Sequence, residues 1–265
     1  MARMPVLFVS HGGGPWPWVE GMREAFAKTE SEFARLPQLL PQKPRAVLVI
    51  TGHWEESEFT ISTSRHPPME YDYSGFPPHT YEIVYPAPGE PELATHIVHL
   101  LRAAGLVVHE DPSRGFDHGV FVPLYLMYPQ ADVPVLMLSM KHDYDPAAHL
   151  RLGQALAPLR DEGVLILGSG LTYHNMRGFG RSESSAPAAA FEQFLNDAIG
   201  ASDPSRRNAM LEAWEQAPAA RLAHPREDHL VPLFVVAGAA GEDAGRRLFA
   251  DYAMNVTMAT YVFGA

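Results

Sequence analysis

Six histidines stand where the chain changes direction beside glycine or proline. His11 lies in VSHGGGPW, His53 in TGHWE, His118 in RGFDHGVFVP, His174 in GSGLTYHN, and His224 and His229 in HPREDH. Neutral imidazole is the commonest metal ligand. Imidazoles without thiolates suit Zn²⁺, Fe²⁺, Mn²⁺, Ni²⁺ or Cu²⁺. The pattern therefore points to a metal site built from imidazole. His66, His96, His99, His109, His142 and His149 sit on helix faces or in loops without a local cluster and read as structural.

Those six positions depend on the elements around them. Apolar, β-branched runs at 5–9, 46–51, 59–63, 106–109, 133–139 and 164–167 predict strands, several of them buried on both faces. Helical patterns cover 19–36, 90–104, 146–160, 188–199, 204–216 and 229–240, with Asp145 as an N-cap. Residues 255–262 alternate and predict a last strand. Strands alternating with helices predict one α/β domain over 1–265, with a central mostly parallel or mixed sheet flanked by helices. In such sheets ligands bind beyond the carboxyl ends of strands. His11, His53 and His174 follow three predicted strand ends, and His118 and His229 enter from helix starts. The segment 65–89 is rich in Pro, Tyr and Gly. Its aromatic content argues against disorder and for an ordered loop over the site.

Composition narrows the classes further. The net charge of −11 disfavours nucleic acid and anionic membrane surfaces as partners. With no cysteine, disulfide scaffolds, thiolate zinc sites and thiol nucleophiles are excluded. No run approaches the roughly 18 apolar residues of a membrane span, and the N-terminal apolar run is too short for a signal sequence. The expectation is a cytoplasmic protein, monomer or homodimer. The helical zinc motif H-E-x-x-H is absent, and Pro225 disfavours a helical pairing of His224 with His229. HGGGP is similar to an esterase oxyanion turn, but no G-x-S-x-G elbow accompanies it.

Six ordered blocks, SHGGGP at 10–15, TGHWE at 51–55, FPP…YEIVYPAPG across 76–89, FDHGVFVPL at 116–124, GSGLTYHN at 168–175 and HPREDHLVPL at 224–233, resemble the DODA-type extradiol ring-cleavage dioxygenases of the class III, LigB-like superfamily. The resemblance spans nearly the whole chain. It implies a non-haem metal, Fe²⁺ for catalysis with Zn²⁺ as a possible occupant, used with O₂ to open a small aromatic diol. It also implies that His11, His53 and His229 hold the metal. His118 and His174 then handle protons and oxygen, with His174 taking the second hydroxyl proton. Better-known bacterial members use two histidines and a carboxylate; here Glu227 and Asp228 adjoin His229, so a carboxylate ligand stays open. Trp54, Phe76, Tyr81 and His224 are candidates to contact substrate, with His224 also readable as packing. The same histidines allow a zinc hydrolase, with Glu55 or Glu227 as base, or a non-enzymatic metal-binding protein.

Overall fold

The computed structural model describes residues 2–264. Its main elements are β1 (Val6–Ser10), α1 (Ala27–Arg35), β2 (Ala46–Thr51), α2 (Pro91–Ala103), α3 (His118–Met127), β3 (Val135–Met137), α4 (Pro146–Leu156), β4 (Val164–Gly170), α5 (Ser185–Ile199), α6 (Pro204–Glu212), α7 (Val231–Ala240), β5 (Gly245–Ala253) and β6 (Val256–Phe263). The sheet order is β3-β2-β4-β1-β6-β5. The first four strands run parallel; β6 and β5 are antiparallel to their neighbours. Every residue of β1, β2 and β4 is buried, as their unbroken apolar sequences require.

The register places Thr51 beside Ser169 and Ser10 beside Gly170. The carboxyl ends of β2, β4 and β1 therefore finish together. Helix α7, apolar all round and wholly buried, packs on β4, β1 and α4. Its far end is held by two buried guanidinium groups. Arg160 donates to the carbonyls of Ala239 and Ala240 at 3.0 Å each. Arg207 donates to those of Ala237 at 3.1 Å and Gly241 at 2.7 Å. These carbonyls would otherwise be orphaned at a helix C-terminus. His229 lies just before the opposite end of α7.

Four elements differ from the sequence expectation. The helix predicted over 19–36 breaks: a short helix, Met22–Ala25, is separated from α1 by Phe26, which has φ −108° and turns its buried ring inward. Strands Phe59–Ser62 and Val108–Asp111 pair with each other, outside the main sheet. β5 had no sequence signal, because Arg246, Arg247 and Asp251 interrupt its apolar alternation. It lies at the sheet edge, where charged side chains discourage pairing with other chains. Among the described residues no helix is long and apolar enough to cross a membrane.

Candidate metal centre

Three chain segments bring His11, His53 and His229 together. His11 is the first residue past β1, and its N–H donates to Gly170 O at 3.0 Å. His53 follows β2 across Gly52, whose N–H donates to Ser169 O at 2.9 Å. His229 closes against β4 through a bond from Leu171 N–H to its carbonyl at 3.0 Å. That approach requires glycine at 170, where a Cβ would sit 2.0 Å from His229 O. One ring nitrogen from each of the three histidines lies within 4.8 Å of the other two.

The hydrogen bonds behind the rings decide which nitrogen faces inward. Ser169 donates its hydroxyl proton to Gly119 O, so its oxygen accepts from His11 Nδ1–H at 3.0 Å. His229 Nδ1–H donates to Asp228 Oδ2 at 3.0 Å, and His53 Nδ1 faces Asp72 Oδ2 at 3.2 Å. Each Nε2 is thereby left with a bare lone pair. His53 Nε2 stands 3.1 Å from His11 Nε2 and 3.2 Å from His229 Nε2. Facing lone pairs repel unless a cation or proton lies between them. The donor set thus fits a divalent metal that accepts imidazole nitrogen.

Protonation is the competing solution, and burial opposes it. Burial and then the neighbouring imidazoles hold His11 and His53 well below the usual histidine value. Burial brings His229 down to about 4, against the pull of Asp228. The unfolded chain takes up these protons near pH 6.5, so metal-free protein loses stability as pH falls from there toward 4. Its melting temperature is expected to drop by at least ~5 °C between pH ~7 and ~5 by calorimetry. A flat profile across that window would show imidazoles that titrate freely.

Two carboxylates organise the remaining histidines. Asp72 accepts from His118 Nδ1–H at 2.9 Å and His118 N–H at 3.1 Å, as well as facing His53. Asp228 faces His174 Nδ1 at 3.4 Å with its other oxygen. Each carboxylate therefore serves one of the three converging histidines and one outside that trio. Burial disfavours ionisation of Asp228, yet its bonds to His174 and His229 hold the carboxyl well below the usual range. The His174 and His229 rings stack with centroids 3.4 Å apart, and the His53 and His118 centroids are 4.0 Å apart. Asp228 thus sits behind His229 rather than beside its inward nitrogen. Asp228→Asn is expected to weaken metal affinity by ~10–100-fold, read by competition with a chromogenic chelator. An unchanged affinity would show that Asp228 does not orient His229.

A cavity of about 470 Å³ opens over the cluster, lined by His53, His118, His174 and His229 together with apolar side chains. Phe76 and Tyr73, from the 65–89 segment, form part of its wall. Gly14 allows Phe76 this place: a Cβ there would meet the ring at 2.6 Å.

Three candidate substrate contacts fall elsewhere. Trp54 does not line the cavity. It is buried under Arg114, whose guanidinium lies 5.1 Å from the ring centroid. Tyr81 lies behind the wall, its ring 5.3 Å from that of Tyr73 and its hydroxyl accepting from Phe76 N–H at 3.4 Å. His224 is fully buried against Phe191 and Trp214 and donates through Nε2 to Thr172 O at 3.1 Å. The bases considered for a hydrolase are also removed from the cavity. Glu55 is held by Arg226 and Tyr144, and Glu227 by Arg221.

Asp72, Tyr73, Ser169, Asp117 and Arg114 were not singled out in the sequence. Arg114 bridges Glu70 and buried Asp117, and donates to His53 O at 3.4 Å. Asp117 also accepts from Thr51 at 2.9 Å; burial and nearby Asp72 push its carboxyl up to about 6. This network braces the His53 turn from below. Its one sequence signal was an acid next to the already suspected His118.

Comparison with known proteins agrees with this architecture. The family described as the catalytic LigB subunit of aromatic ring-opening dioxygenase matches residues 5–264. The chain is 40% identical over 283 residues to "Dioxygenase tasH" of Hapsidospora irregularis, covering all of this chain and 86% of that protein. It is 41% identical to the "4,5-DOPA dioxygenase extradiol" of Beta vulgaris, over 91% of this chain and 89% of the relative. The protein of that name from Escherichia coli K12 is 32% identical over 89% of this chain and 85% of its own. A solved structure of an uncharacterized Escherichia coli K12 protein superposes with TM-score 0.79 at 28% identity, covering 99% of this chain and 100% of that one. The chain belongs to the LigB family of aromatic ring-opening dioxygenases and is an oxidoreductase that incorporates molecular oxygen.

Proposed function

We propose that this protein is a metal-dependent extradiol dioxygenase that opens the ring of a small catechol, with the metal on His11, His53 and His229. The observation that carries this reading is the three converging Nε2 lone pairs, two of them on histidines that line a mostly apolar cavity. The names of the relatives support a catecholic substrate. Fe²⁺ is the metal suited to O₂ chemistry, and the nitrogen donors also accept Zn²⁺. When bound, the cation supplies positive charge that acidifies a catechol hydroxyl and, as Fe²⁺, the redox capacity to engage O₂.

The chain's own residues do the rest. His174 presents Nε2 to the cavity because Asp228 takes its Nδ1 side, so it accepts the second hydroxyl proton. Asp228 then stabilises the resulting imidazolium. His118 is held the same way by Asp72; in its protonated form it donates through Nε2 to the reacting oxygen. Phe76 and Tyr73 limit water access to the floor.

The test is anaerobic loading with Fe²⁺ or Zn²⁺, followed by an oxygen electrode with a catechol panel. Fe²⁺ protein should consume one O₂ per catechol and place both ¹⁸O atoms in the product. Silence with Fe²⁺ combined with ester hydrolysis by the Zn²⁺ form would replace this reading by a hydrolase.

A further inference from the structure

The wall of the cavity away from the histidines is chemically uniform. It is built from Leu171, three phenylalanines, Phe26, Phe76 and Phe179, the ring of Tyr73 and four methionines. The Tyr73 hydroxyl is turned aside and donates to Thr80 O at 2.5 Å. Among the described residues no Lys, Arg, Asp, Glu, Asn or Gln side chain lines the cavity. The polar groups left are the imidazoles at the floor, which the diol and its protons engage, and the backbone at 12–14; no Lys or Arg stands on the apolar wall to pair with a carboxylate.

The mouth carries a second, independent sign. Met176 and Met254 line the cavity yet are 70% and 45% exposed. Met254 opens the two-residue turn between β5 and β6, with φ 52°, followed by Asn255 at φ 62°. Such turns favour Asn, Asp or Gly at both positions. A methionine in the left-handed region is uncommon and strained. Its backbone is held there by Gly180 N–H, which donates to Met254 O at 2.7 Å. The strain persists with a flexible apolar thioether at the entrance, a side chain that adapts to varied apolar shapes.

We propose that the catechol accepted here carries an uncharged, apolar ring substituent, seated among these phenylalanines and methionines, and that catechols bearing a carboxylate on that substituent are disfavoured. The inference rests on the ring-cleavage reading and adds the class of substrate. Burying a carboxylate without a partner is costly, whereas each buried methylene strengthens binding by about fourfold.

The test is anaerobic calorimetry on the Fe²⁺-loaded chain with a shape-matched pair, 4-propylcatechol and 3-(3,4-dihydroxyphenyl)propanoate. The alkyl ligand should bind at least ~10-fold more tightly, and lengthening its chain should tighten it further. Met254→Arg should narrow the gap several-fold by supplying the missing charge. Equal or tighter binding of the carboxylate by the unaltered chain overturns the proposal, as does absence of binding by both. Oxygen uptake reports separately on ring cleavage: a failed ligand preference with uptake intact sinks only the substituent class.

Discussion

His11→Ala, His53→Ala and His229→Ala are each expected to bind metal on the order of 10³-fold more weakly and to lose oxygen uptake, with the far-ultraviolet spectrum unchanged. Each substitution removes one of three lone pairs that no other side chain replaces. The sheet persists because its core is the apolar body of β1, β2 and β4, remote from the lost contacts. His224→Ala is the control. It removes an equally buried imidazole whose bond runs to Thr172 O, so metal content should stay full even if stability falls. Plasma-emission metal analysis after dialysis distinguishes these outcomes. Full metal in all three variants would place the ion elsewhere.

For His118→Gln and His174→Gln the expected result is the reverse: metal content near normal and turnover lower by ~10²–10⁴-fold. Neither ring nitrogen belongs to the converging trio, and each imidazole is backed by a carboxylate that steadies its charged form. The loss should fall on kcat more than on KM, because the floor still holds the diol. Steady-state oxygen uptake with metal-replete protein reads the split. Metal loss in both variants would make them ligands. Unchanged kcat in both would leave proton transfer to water.

Strand ends were legible because three buried runs stop at histidine-bearing turns, and that alone located His11, His53 and His174 on one edge of the sheet. Asp72 was not legible: it lies in a loop without periodicity, and its partner His118 is distant in sequence. Asp228 was visible beside His229, but nothing in HPREDH tells whether a carboxylate faces the ion or the back of the ring. Adjacency of Trp54 to His53 says nothing about whether it reaches the cavity, and its place under Arg114 depends on a loop distant in sequence. β5 escaped because edge strands carry charge where central ones carry valine. Ser169 lies between two glycines in GSG. Its role as an acceptor depends on Gly119 O, in another element.

The convergence of positions 11, 53 and 229 also matters to the chain as a polymer. A cation shared by these side chains is a three-point crosslink that closes one loop of moderate length and one that spans most of the protein. In the denatured ensemble the entropy of closing such loops opposes any simultaneous engagement of the three rings. The ion therefore discriminates strongly between folded and unfolded chain, and its binding free energy adds to the stability of the native state by mass action. The first residues of the sheet and the start of its last buried helix become held by coordination as well as by packing. Detachment of β1 or of the start of α7 is then opposed by the same ion.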